Sequence, residues 1–441
     1  MLSEATVDYT ALTVDLKESL KSALEPSRVQ HRAYLHTNLE FLTKFCGFGG
    51  DVPEPSVHDL TAALDHIHSA QHDDHSAQLT VQMYVRAMLQ SIAKTLGPRQ
   101  VNAETVLATL KRHIYPFRLL GHGKSCNTLV GHHRLLKKDL CVFKVVKDET
   151  AAIIRSLRES ILIHEVAIGY ALNQYRHKLG NWFMFTYAAF LNDLGKANDK
   201  IEETTMSVMV LQQYVNGEGL LKLVEGLSVD QVYELVHNVF LQMACALHIA
   251  QENVAFVHYD LHYDNVLLRT SKSPERLVLT FDESFEMEVE DVTVVPTIID
   301  YGYAVCKVNK LLMNHWPCED TNIISCGNGT HTEWFLPLFD MYRYVTCVLC
   351  LLVSDDVRRE DVSACARACR RLRDKWLPYF VEHGGGKNKY TSWCKSKPRT
   401  LDELRQWRRQ YLDERLAYPA QKDHGCFLEG SLKEWVRSVV Q

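Results

Sequence analysis

Long apolar runs are missing from these 441 residues. The longest, "VTCVLCLLV" from Val345 to Val353, is about half the ~20 residues a helix needs to cross a bilayer, so it reads as a buried core helix and no membrane association is expected. A strong charge of either sign is missing too: 49 Lys and Arg against 54 Asp and Glu leave a formal net charge of −5, which argues against a general nucleic-acid-binding surface. The chain does not start with the basic residues and apolar stretch of a secretory signal. An intracellular protein, in cytoplasm or nucleus, is therefore expected, with its 13 cysteines mostly reduced. There is no G-x-S-x-G nucleophile turn and no H-E-x-x-H helix, which removes the usual layouts of serine hydrolases and zinc proteases. Cysteine and histidine clusters give a metal cage little support. Cys347 and Cys350 form a C-x-x-C inside the apolar run with no second pair at zinc-finger spacing, and Cys318, Cys326 and His331 merely lie close together. His66, His68, His72 and His75, interspersed with Asp73 and Asp74, suit a solvated loop as well as a site.

What is present is a globular composition, 46% hydrophobic, in a chain long enough for two or three structural units. Residues 1–112 read as helical. Leu12, Leu16, Leu20 and Leu24 recur at i+4 until Pro26; Leu35, Leu39 and Leu42 repeat the pattern; Val81, Val85, Met88, Ile92 and Leu96 do so before Gly97 and Pro98. Near residue 115 the texture changes to short β-like runs around glycines. "CVFKVV" (Cys141 to Val146) predicts a strand, 149–173 a helix, and "MSVMVLQQYV" (Met206 to Val215) another strand closed by "NGEG". Ser228 and Gln231 form a capping box that opens a helix with Val232, Leu235, Val236, Val239, Met243 and Leu247 on its apolar face. That helix delivers the chain to "VHYDLHYDNVLL" (Val257 to Leu268), and "TIIDYGYA" follows about 35 residues on.

So many ligand-type side chains in one short stretch suit a metal site, a hydrolytic dyad or a phosphoryl-transfer loop. As a metal site, His258, Asp260, His262 and Asp264 lack a third compact ligand group. Phosphoryl transfer demands more, in fixed chain order: a Gly-rich cover, a phosphate-binding Lys, a Glu partner for it, a base-like Asp, and an Asn and a second Asp for magnesium. All have counterparts here. "GHGKSCN" holds Gly121 and Gly123; Lys144 sits mid-strand; Glu165 follows 21 residues later; Asp260 precedes Asn265 by five; Asp300 stands in "DYG". The "GKS" is not a P-loop, because Arg118 occupies the position of the required first glycine.

From about 117 to 345 the chain resembles the eukaryotic-type protein kinase superfamily, with "HYDLHYDN" similar to its catalytic loop and "DYG" to its magnesium-binding triplet. Within it the chain looks most like haspin and divergent viral serine/threonine kinases, on "DLHxxNVLL", the long segment before "IIDY", the lack of A-P-E, and a later "FDMYR" (Phe339 to Arg343). The resemblance implies an α+β, bilobal fold with a small lobe at 113–216 and a helical lobe at 217–441, behind the helical region 1–112. It implies an ATP- and Mg²⁺-dependent kinase acting on serine or threonine of a protein. Asp260 would be the catalytic base, Asn265 and Asp300 would hold Mg²⁺, and Gly121, Gly123, Lys144 and Glu165 would serve the phosphates. Adenine would meet backbone near Gln213, Tyr214 and Val215. His258 would brace the loop and Asp340 would tie a helix to it.

Two departures from that pattern matter. Tyr259 replaces the Arg of H-R-D, which predicts activity without phosphorylation of the segment holding Thr321, Ser325, Thr330 and Thr332. His262 replaces the lysine usual in serine/threonine kinases, so tyrosine remains open as an acceptor. A small-molecule kinase of the aminoglycoside or choline type also shares H-x-D-x-H-x-x-N, and the altered third glycine, Cys126, leaves a pseudokinase scaffold open.

One check stands apart from the resemblance. Ile161, Glu165, Ile168 and Leu172 share a helical face by 4-3-4 spacing, so Glu165 needs a buried partner, for which Lys144 is the choice. Between about 275 and 297, "LVLTF" and "FEMEVEDV" predict a half-buried hairpin with an acidic outer face. That face suits either a basic substrate peptide or plain solubility. The N-terminal helices are read as a possible site for a protein partner; 355–441, capped at Thr400 and Glu403, are read only as helices and loops.

Overall fold

Alternation along one strand sets the architecture. The computed structural model describes residues 53–68, 75–96, 111, 113–122, 126–146, 152–193, 206–308, 311–313, 337–352, 362–379 and 431–441. In it, strands β1 (Ile114–His122), β2 (Cys126–His133), β3 (Asp139–Val146), β4 (Thr186–Asp193) and β5 (Met206–Gln213) form an antiparallel sheet of order β1-β2-β3-β5-β4. Successive side chains of a strand point to opposite faces. Cys141, Phe143 and Leu211 therefore meet one layer of helices, while Lys144 and Gln212 reach the other.

The first layer comes from the N-terminal region. Helices α1 (Val57–His68) and α2 (His75–Leu96) put Leu60, Leu64, Val81, Val85 and Met88 into one core with Phe143, Phe185, Tyr187 and Leu211. Polar contacts fix the docking: Tyr187 donates its hydroxyl to Gln78 at 2.7 Å, Tyr84 pairs with His133 at 2.8 Å, and Lys138 pairs with Asp65. This part of 1–112 is thus helical, as its periodicity predicts, but it is packed into the sheet's own core. The leucine-patterned stretches from Leu12 to Leu42 lie outside the described residues.

The opposite layer is helix α3 (Ala152–Asn173), which ends at the residue expected. It presses closely on β4: a Cβ on Gly169 would lie 2.0 Å from Thr186 Oγ1, so only glycine fits there. Below it, helix α4 (Val229–Val254) starts at the Ser228–Gln231 capping box, with both reciprocal bonds made. Val232, Val236, Val239, Met243 and Leu247 are buried in the main core together with helices α5 (Phe339–Leu351), α6 (Val362–Trp376) and α7 (Leu432–Val440). Trp435 of α7 donates its indole N–H to the Trp376 carbonyl at 2.8 Å, which docks the final helix. The result is a mixed α+β molecule with antiparallel sheets.

The hairpin departs from expectation. Strands β6 (Val266–Asp282) and β7 (Phe285–Ile298) are paired from Val266↔Ile298 to Asp282↔Phe285, so the ladder begins directly after "YDN" rather than near residue 275. Its alternation holds as far as Val289, with Glu286, Glu288 and Glu290 exposed; it then slips by one residue at Asp291, which has φ 53°, so that Val292 is buried. Those glutamates sit toward the tip, and at ~3.3 Å per residue Glu290 is roughly 30 Å along the strand from Asp300. The tip is held by α7, where Lys433 pairs with Asp282 and Arg437 covers the Phe285 ring. The strand expected to reach Val215 ends at Gln213. Among the described residues no helix is long and apolar enough to cross a membrane.

The α1–α2 packing makes a direct prediction. Leu64→Ala, at a side chain that is 1% exposed, should lower the unfolding free energy by about 2–5 kcal/mol in urea titration. A loss under ~0.5 kcal/mol would mean the helix pair and the sheet do not share a core.

Candidate active site

Four segments far apart in sequence meet between the sheet and the helices beneath it. Lys144 arrives on β3 and Glu165 on α3; the loop after α4 carries His258 to Asn265; the segment after β7 carries Asp300 to Gly302.

Lys144 lies 2.6 Å from Glu165 Oε1 and 3.4 Å from Asp300 Oδ1, and Gln212 donates to the same Glu165 oxygen at 2.9 Å. Burial opposes the charge on Lys144, but Asp300 and Glu165 outweigh it and hold the ammonium above its ordinary pKa. Lys144 in turn holds the Asp300 carboxyl below the usual range. Burial pushes the Glu165 carboxyl up while Lys144 pulls against it. The Glu165 side chain is 2% exposed and that of Asp300 52%, so Glu165 belongs to the interior and Asp300 faces an accessible cleft.

The hairpin is the device that brings Asn265 and Asp300 together. With Val266 paired to Ile298, the Ile299 N–H donates to the Asn265 carbonyl at 3.0 Å, so residues 35 apart in sequence stand side by side. Asn265 Nδ2 donates to the Asp260 carbonyl at 2.8 Å. That fixes the amide and leaves Oδ1 as the atom able to meet a cation. An amide oxygen and one accessible carboxylate suit Mg²⁺, which keeps several waters and takes phosphate oxygens, better than they suit a metal that needs a complete protein cage. Among the described residues no group of three or more His, Cys, Asp or Glu forms such a cage.

The loop itself is strained and firmly held. Tyr259 has φ 60°, in the left-handed region that bulky residues avoid, and Asp300, of a type that enters that region more readily, has φ 65°. Asp340, fully buried on α5, accepts the His258 N–H at 2.5 Å and the Tyr259 N–H at 2.9 Å, and the Tyr259 ring packs on Phe339. His258 bonds the Ile299 carbonyl through Nε2 at 3.0 Å and accepts the Asp260 N–H on Nδ1 at 3.3 Å. Both its nitrogens are engaged, so it acts as a brace between the loop and the Asp300 segment. On α3, His164 does the same further on, bonding the Ala304 carbonyl at 2.6 Å.

Of the residues picked from sequence, Lys144, Glu165, Asp260, Asn265 and Asp300 come together here, and Asp340 makes the anticipated tie. Gly121 lies in β1 opposite Thr128, beside a register shift, whereas Gly123 and Thr321 to Thr332 are outside the described residues. Gln213 is 2% exposed, and both its side-chain oxygen and its N–H are bonded to Phe185. The Val215 carbonyl accepts from Gly217, while no acceptor for the Val215 N–H stands among the described residues. Two residues were missed. Gln212 was readable only from strand parity with Lys144. Arg343 donates to the Tyr259 carbonyl at 2.6 Å and to Asp260 Oδ1 at 2.7 Å; its one signal was its place three residues after Asp340 on the same helix. The open groove lined by Leu223, Leu235, Val292 and Val294 lies elsewhere, between α4 and the hairpin.

No protein-family model matches the chain, and no curated protein is a significant match to it.

Buried and half-buried histidines, of which His164 alone adjoins the site, give the fold a pH dependence. Burial lowers His164 from 6.5 to about 4, and His237 likewise; His133 and His248 shift in the same direction. Since the unfolded chain binds these protons first, stability is fully present above pH 6.5 and is lost as pH falls toward 4, at up to ~1.4 kcal/mol per pH unit for each group. Urea titrations at pH 7 and 5 should show a weaker fold at pH 5, and His164→Gln should reduce that difference by about 2 kcal/mol. An unchanged difference would mean that His164 does not titrate with folding.

Proposed function

We propose that this chain is an ATP- and Mg²⁺-dependent protein kinase, divergent and haspin-like, acting on serine or threonine. In this reading the fold is a bilobal kinase-like one: the five-stranded sheet with α3 forms the small lobe, and α4 to α7 with the hairpin form the large one. The observation that carries it is the Lys144–Glu165–Asp300 charge cluster in the same cleft as the Asp260–Asn265 loop. A lysine, two carboxylates, an amide and a base-like aspartate, in kinase chain order, are the parts that phosphoryl transfer requires.

The chemistry follows from what each group is held by. Glu165 and Gln212 aim the Lys144 ammonium, which neutralises the α- and β-phosphates. Asn265 Oδ1 and Asp300 would hold Mg²⁺, which when bound supplies charge neutralisation at the β- and γ-phosphates. The Val215 N–H is available to an adenine nitrogen. Asp260 orients the acceptor hydroxyl and takes its proton. Tyr259, 1% exposed, offers no charge for a phosphorylated loop to dock on, which supports activity without that modification. The acidic hairpin face, roughly 30 Å along the strand from Asp300, gives no specific support to a basic substrate.

The test is magnesium-dependent transfer of the ATP γ-phosphate to a panel of basic, acidic and tyrosine-containing peptides. Asp260→Asn and Lys144→Met should each cut transfer by about 10²-fold or more. Transfer only to aminoglycoside- or choline-type alcohols would replace protein by small-molecule substrates. ATP binding without any transfer would leave a scaffold.

A further inference from the structure

We propose that Arg343 is a positioning residue for this reaction: it grips one oxygen of the Asp260 carboxylate so that the other oxygen receives the proton of the acceptor hydroxyl. The inference rests on the kinase reading above.

Helix α5 holds the loop from two sides with one turn. Asp340 and Arg343, three residues apart, share a face. Asp340 accepts the N–H groups of His258 and Tyr259, and Arg343 donates Nη1 to the Tyr259 carbonyl and Nη2 to Asp260 Oδ1. Both ends of the Tyr259 peptide unit are thereby fixed, and the strained φ of 60° is sustained from outside the loop. A guanidinium suits this task because its two donors diverge in a rigid fork onto two acceptors, which a lysine point charge does not reproduce. The side chains of Arg343 and Asp260 are 13% and 22% exposed, enough shelter for the pair to hold against solvent competition.

The oxygen left over is defined by the same contacts. Among the described residues nothing hydrogen-bonds Asp260 Oδ2; His262 Nε2 stands 3.8 Å away, beyond bonding range. Burial holds the His262 imidazole below its usual pKa, so at neutral pH it brings no competing charge. A carboxylate turning about its Cβ–Cγ bond presents either oxygen; the Arg343 contact selects Oδ2. In the transfer, the acceptor O–H bond breaks and its proton goes to Oδ2. The acceptor oxygen bonds the γ-phosphorus as the bond to the bridging oxygen of departing ADP breaks.

The experiment compares kcat, peptide KM, nucleotide Kd and thermal midpoint for wild type, Arg343→Gln, Arg343→Lys, Asp260→Asn and the Asp260→Asn/Arg343→Gln double variant. Arg343→Gln should lower kcat by about 10²-fold while nucleotide Kd stays within about threefold. Arg343→Lys should recover roughly tenfold of that loss. The double variant should be as slow as Asp260→Asn alone, because Arg343 acts through that carboxylate. A normal kcat in Arg343→Gln, or a double variant slowed by the product of the two single effects, would overturn the role. If Arg343→Gln fails to fold, the Lys variant decides: kcat should fall about tenfold at an unchanged midpoint, and a normal kcat overturns the proposal. A wild type that transfers nothing defeats the kinase reading and this role with it, whereas an active wild type with an equally active Arg343→Gln defeats this role alone.

Discussion

A glutamate that is almost wholly buried stays in place only if a charge of opposite sign is brought to it, and in this protein that charge comes from the middle of a strand. The Lys144–Glu165 pair therefore sets a condition on everything around it. The sheet must present Lys144 to α3 and not to α1–α2, α3 must turn the face of Ile168 and Leu172 inward, and the segment after β7 must come close enough for Asp300 to share the ammonium. Phe143, the residue before Lys144, is clamped by α1 and α2 on the far side of the sheet. Removing either member of such a pair leaves an uncompensated charge, which typically costs 3–5 kcal/mol. An arrangement that demanding, with a half-exposed carboxylate at its edge, is easier to understand as a site than as a stabilising device.

The second constraint is the path of the loop. Two left-handed residues, Tyr259 and Asp300, flank the cleft, and each persists because its surroundings leave no alternative. For Tyr259 those surroundings are Asp340, Arg343 and Phe339 on one helix turn. For Asp300 they are the hairpin ladder, the His258 bridge to Ile299 and the pull of Lys144. The hairpin is thus a spacer whose root aligns Asn265 with Asp300 and whose tip is anchored by the last helix.

How much of this was legible in the sequence follows from how local each signal is. The Ser228 capping box, the end of α3 at Asn173 and the burial of Glu165 were readable because helical period and capping chemistry act within a few residues. The pairing of Lys144 with Glu165 needed only one further inference, that a buried carboxylate requires a cation. The start of the hairpin was not readable: "VLLRTSKSPER" has no clean alternation, and its pairing is fixed by partners beyond Phe285. Nor was the docking of α1 and α2, because amphipathic helices show that they cover something without showing what. Arg343 escaped for the same reason: its partner lies 83 residues away in sequence, and its one local signal, its place three residues after Asp340 in "FDMYR", does not say what it touches.

In the proposed reading Lys144, Asn265 and Asp300 together hold a magnesium nucleotide. A crystal structure with Mg²⁺ and a non-hydrolysable ATP analogue tests it most directly. The expected result is phosphate oxygens on the Lys144 ammonium, a cation on Asn265 Oδ1 and Asp300, and the adenine beside the Val215 N–H. A nucleotide bound away from these three residues, or a cleft left empty at saturating nucleotide, would contradict it.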